Sequence, residues 1–121
     1  MLYTIDLEKD AKYVSLFFLS SPSIKELEIS RAEVSDALVA YKWNKVLIEN
    51  IGSKPKMSIY DHVKFTKELH STFPKDVSIA IIHHSEYRVD NLFVEYLAQN
   101  LGLNLKFFSE KEKALNWLNS N

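Results

Sequence analysis

The chain has no cysteine, so no disulfide staples it and no thiolate can hold a metal ion. It is nearly as poor in glycine, with Gly52 and Gly102 the two in 121 residues. Phosphate-cradling loops need clustered glycines for close backbone approach, and neither a G-x-G-x-x-G nor a Walker pattern occurs. The three prolines, Pro22, Pro55 and Pro74, are too few for a linker and act as punctuation between elements. An excess of one charge is missing too. Fifteen lysines and arginines stand against sixteen acidic residues, a net charge of -1, which gives no basic footprint for nucleic acid and no polybasic anchor for a membrane. The apolar runs fall far short of the roughly 20 residues that a membrane span needs. The opening MLYTIDLEKDAK lacks the cationic and apolar regions of a secretory signal. These absences predict a cytoplasmic protein with neither nucleic-acid nor membrane partners.

What is present is an ordinary globular composition, 46% hydrophobic and 26% charged. A chain of this length can bury about two thirds of its unfolded surface, so residues 1–121 are read as one domain. The stretch NKVLIENIGSKPKMS, Asn44 to Ser58, organises the rest. Val46, Leu47 and Ile48 form a short apolar run suited to a strand covered on both faces. Gly52 and Pro55 break the strand, and Ser58 is placed to cap a following helix. In parallel α/β sheets such strand-to-helix turns are where ligands meet the fold.

Tyr3, Ile5 and Leu7 alternate with Thr4, Asp6 and Glu8, the pattern of an edge strand, and a short charged turn leads to a more apolar strand, Tyr13 to Leu19. So short a link implies an antiparallel hairpin. Ser23 and Glu26 have capping-box spacing, and Ile24, Leu27, Val34, Leu38 and Tyr41 recur at helical intervals, which predicts one helix through Lys42. Ser30 with Glu33 offers a later start. That helix returns the chain to the Val46 strand in parallel by a right-handed crossover. Ile59, Val63, Thr66, Leu69 and Phe73 predict a second helix, stopped by Pro74, before a buried strand Val77 to Ile82 that ends at His83 and His84. Val89, Leu92, Phe93, Tyr96, Leu97 and Asn100 predict a third helix, with Gly102 as the left-handed residue past its end. Leu103, Leu105 and Phe107 predict the last strand. Ser109 and Glu112 predict a capping box for a final helix carrying Leu115, Trp117 and Leu118. The order ββαβαβαβα implies a mixed, mostly parallel five-stranded sheet with four helices, wet only at its two edge strands.

The runs WNKVLIENIG, SIYDHVKFTKEL, FPKDVSIAII and FVEYLAQNLGLNLKFFSEKEKALNWL, in that order, resemble the STAS/SEC14-type SpoIIAA-like family of bacterial domains, related in fold to anti-sigma factor antagonists. The parts that carry the resemblance are the apolar strand followed by Glu49, the helix beginning Phe93-Val94-Glu95 and leading to Asn100 and Gly102, and the closing Ala114, Leu115, Trp117 and Leu118. The resemblance implies a non-catalytic domain that docks a partner protein, in some relatives under control of serine phosphorylation at the start of the helix after the third strand. Those relatives carry Asp-Ser followed closely by glycine. This chain has Ile51, Gly52, Ser53, Lys54, Pro55, Lys56, Met57 and Ser58 there, so Ser58 and Ser53 are the serines in question, and Ser58 is accounted for by capping alone.

Candidate binding residues on the carboxyl-terminal rim are Glu49, Ser53, Ser58, His83 and His84. Adjacent strand residues point to opposite faces, which sets His83 and His84 apart, and His62 and His70 are eight apart, so no metal site and no cofactor is expected. A histidine base would need a nucleophile and a carboxylate beside it, and Ser53, Glu49 and Asp61 are near only by rim position, so no catalytic residue is assigned. The function expected first is regulatory protein–protein interaction, with a homodimer as one form of it, since 121 residues with helices this short leave little material for a lid over a large ligand; the alternative is a SEC14-like binder of a small apolar or anionic ligand held between helices and sheet.

Overall fold

The computed structural model describes residues 3–20, 22–50, 58–83 and 88–121. Five strands form one sheet in the order β1 (Tyr3–Glu8), β2 (Tyr13–Phe18), β3 (Lys45–Asn50), β4 (Ser78–Ile82) and β5 (Asn104–Phe108). The first pair is antiparallel, and β2, β3, β4 and β5 run parallel. Among the described residues three helices connect strands, α1 (Ile24–Tyr41), α2 (Ile59–Thr72) and α3 (Arg88–Asn100), and α4 (Lys111–Asn119) follows the last strand. No described helix is long and apolar enough to cross a membrane.

Val46, Leu47 and Ile48 are buried in the middle strand, as their unbroken apolar run requires. In register, Val46 lies between Val14 and Ile79, and Ile48 between Leu16 and Ile81. These side chains share one face with Val34 and Leu38 of α1, Leu69 and Phe73 of α2, and Val94 and Ala98 of α3. Leu47 and Ala80 point the other way and meet Ala114 and Leu118 of α4. All three crossover helices therefore cover one face and α4 covers the other, over β3, β4 and β5. One consequence departs from the sequence expectation. On the α4 face Ser15 and Phe17 of β2 are only half-buried, so partial exposure extends inward from the edge strand.

Local chemistry sets most of the element ends. The Ser23 hydroxyl accepts from the Glu26 amide at 3.1 Å while the Ser23 amide donates to the Glu26 carboxylate at 3.0 Å, closing the capping box of α1. At the end of α3, Gly102 adopts φ 77 and the Leu103 amide donates to the Ala98 carbonyl at 2.8 Å, a Schellman closure that a side-chain-bearing residue would strain. The box expected from Ser109 and Glu112 does not form. The chain stays extended through Phe108, whose ring packs on Trp117 at 5.7 Å between centroids, so α4 begins at Lys111 behind Glu110, which makes no side-chain cap.

Two helical stripes are also shifted. Among the described side chains of α3, which do not include the expected Val89, the buried ones are Asn91, Val94 and Ala98, whereas Leu92 and Tyr96 are 52% and 63% exposed. The helix turns its smaller side chains, Val94 and Ala98, to the core. In α2 the buried line runs through His62, Thr66, Leu69 and Phe73 rather than through Val63. Ile24 and Tyr41, at the two ends of α1, are exposed.

A candidate ligand cavity at the carboxyl ends of the strands

Because β2, β3 and β4 run the same way, α1, α2 and α3 all start from the rim where those strands end. Between these helices and the sheet lies a partly open cavity of about 100 Å3. Its floor is Leu16, Ile48, Ile81 and Phe107, and its helical wall includes Leu27, Phe65, Leu69 and Val94. Polar groups enter at one end. Asn50 is the last residue of β3, His83 follows β4, His62 and Asn91 lie in the first turns of α2 and α3, and Ser30 and Arg31 lie in the second turn of α1.

Hydrogen bonds and one ion pair hold several of these residues in place. The His83 amide donates to the Phe108 carbonyl at 2.8 Å, extending the β4–β5 ladder one step and fixing the ring's origin. Its Nδ1 lies 3.0 Å from the Asn91 side-chain amide, within hydrogen-bonding distance. The imidazole also stands 6.0 Å from the Phe107 ring, centroid to centroid. His62 is 7% exposed, and its carbonyl accepts from the Thr66 hydroxyl at 2.8 Å. The Ser30 hydroxyl donates to the Leu27 carbonyl at 3.1 Å. Arg31 Nη1 meets Glu68 Oε2 at 2.9 Å, pinning α1 to α2.

Of the residues singled out from sequence, the structure brings one, His83, into this cavity. Glu49 is half-buried in β3 with its neighbours Phe17 and Ile82, on the face opposite Ile48 and Asn50. Ser58 is exposed and caps α2: its hydroxyl accepts from the Asp61 amide and its amide donates to the Asp61 carboxylate, both at 3.1 Å. Ser53 and His84 lie outside the described residues. Among the described residues no group of three histidines or acids is placed to hold a metal ion.

Sequence reasoning did not single out Arg31, Asn50 or Asn91, and it weighed His62 only as a metal ligand. The signal for Asn91 was available, since it shares a helical stripe with Val94 and Ala98, where a polar side chain must find a partner. His62 stands in the same relation to Thr66 and Leu69.

No protein-family model matches the chain, and no curated protein sequence does. Among solved structures, it is similar to the crystal structure of an uncharacterized protein of the DUF3478 family from Shewanella loihica PV-4, described as having a SpoIIAA-like fold. The match has a TM-score of 0.58 at 21% identity and covers 96% of this chain and 91% of that one. The chain has a SpoIIAA-like fold. The five-stranded sheet with one antiparallel pair and four helices matches it at the level of fold.

Proposed function

We propose that this SpoIIAA-like domain binds a small, mostly apolar ligand in the cavity under α1, α2 and α3, without chemical turnover. The observation that carries the reading is the cavity itself: apolar on the floor and helical wall, polar at the strand ends, and set where ligands enter parallel sheets. Its size suits a compact group, since an engineered apolar cavity of about 150 Å3 takes up benzene. Binding without reaction fits the commitments of its polar groups. The Ser30 hydroxyl donates to a carbonyl of its own helix, so it is not paired with a base as an activated nucleophile would be.

Regulatory docking of another protein is the second reading, favoured by the exposed pair Leu92 and Tyr96, one turn apart on α3. Native mass spectrometry of protein purified from its own host separates the two. A co-purifying small-molecule mass, lost on denaturation, is expected for the ligand binder. A bare chain that also takes up no small apolar compound on incubation would overturn it in favour of docking.

A further inference from the structure

The chemistry of the cavity's polar end narrows the ligand class, an inference that rests on the binding reading above. Among the described lining residues there is no aspartate or glutamate, although acids outnumber bases in the chain as a whole. The polar residues along it are Arg31, His62, His83, Asn50, Asn91 and Ser30, on an otherwise apolar surface. An arginine is a permanent cation with five donors and no acceptor, and a buried one needs anionic oxygen around it. The Arg31 side chain is 13% exposed and meets Glu68 through Nη1. Among the described residues that single ion pair is its partner, so the rest of the planar fork faces the cavity or solvent.

Topology adds direction. The polar residues sit at the ends of β3 and β4 and in the opening turns of the three crossover helices, whereas Leu69 and Phe73 lie at the far end of α2. A bound molecule would place its charged group at the rim and its hydrocarbon toward Leu69.

We infer that the cavity receives a small organic monocarboxylate, with a body of about four carbon atoms, whose carboxylate meets Arg31 at the strand ends. Glu68 then competes with the ligand for the same guanidinium. This competition gives the inference a signature that a purely structural ion pair lacks: removing Glu68 should tighten carboxylate binding, while removing Arg31 should weaken it.

The test is a chemical-shift titration of the full chain at neutral pH with three probes of one length: pentanoate, 1-pentanol and 1-aminopentane. Pentanoate is expected to bind about tenfold tighter than pentanol, a difference of about 1.4 kcal/mol, with the amine weakest. Glu68→Gln should improve pentanoate binding and leave pentanol unchanged, and Arg31→Met should weaken pentanoate alone. Should Arg31→Met fail to fold, the Glu68→Gln arm decides. Equal binding of all three probes, or weaker pentanoate binding in Glu68→Gln, overturns the carboxylate assignment while leaving the cavity a binding site. Failure of every probe to shift the cavity residues overturns both.

Discussion

Ser58 commits its hydroxyl and its amide to the start of α2, and both bonds run to Asp61. A phosphate there would add a charge of about -1.5 to -2 beside the Asp61 carboxylate and displace the hydroxyl from the Asp61 amide. The serine is therefore explained as a cap. Ser58→Ala should lower stability by about 1 kcal/mol, and Ser58→Asn, an equally good cap, should stay within a few tenths. Urea unfolding measures both, and an unchanged Ser58→Ala would remove the capping account. Tyr3 makes a different kind of residue-scale statement. Burial, and then the Glu33 carboxylate that accepts its hydroxyl at 2.8 Å, push the phenol above its ordinary value. A group whose folded value is raised contributes stability that is complete below the unfolded pKa, about 10 for tyrosine, and is lost as pH rises through the folded value. Tyr3→Phe should thus cost about 1 kcal/mol at pH 7, and the gap from the parent should narrow above pH 10. A gap constant across that range would mean the hydroxyl makes no net contribution.

At the scale of elements, β5 is an exposed edge, and an edge strand invites pairing with another chain. Phe108 directs its carbonyl inward to the His83 amide, so Phe107 presents its amide outward, where Glu95 Oε2 accepts it at 2.7 Å. A side chain of α3 thereby occupies a hydrogen-bonding position on the open edge. Glu95→Ala should speed hydrogen exchange of the Phe107 amide by about tenfold, as expected for losing a bond of about 1.5 kcal/mol to a charged group. The Lys106 amide, turned toward β4, should not change. Equal acceleration at both, or at neither, would contradict the assignment. The elements themselves were largely legible in sequence, because apolar runs such as Val46–Ile48 and the Ser23–Glu26 spacing report local requirements. The facing of α3 was not. Leu92, Phe93, Tyr96 and Leu97 offer a stronger apolar stripe than Asn91, Val94 and Ala98, yet the weaker one is buried, because tertiary packing rather than the local pattern sets the helix's rotation.

For the whole molecule, the decisive arrangement is that one face carries three helices and the other carries α4. The three-helix side leaves room at the strand ends, and the cavity forms there. That rim could be foreseen from strand direction alone, and His83 with it. The rest of the site could not, since Arg31, His62 and Asn91 converge from three helices whose relative rotation is set by packing, not by any local motif. Glu49 shows the same point in reverse: it is next to Ile48 in sequence and on the opposite side of the sheet. The most direct test of the binding cavity is a methyl-resolved NMR titration of the full chain with cyclopentane, a neutral hydrocarbon close to the cavity's size. Saturable shifts are predicted at Leu27, Ile48, Leu69, Ile81 and Val94, with Leu47, Leu115 and Leu118 beneath and on α4 unmoved. No saturable shift in the first group, or the same response in both, would contradict it.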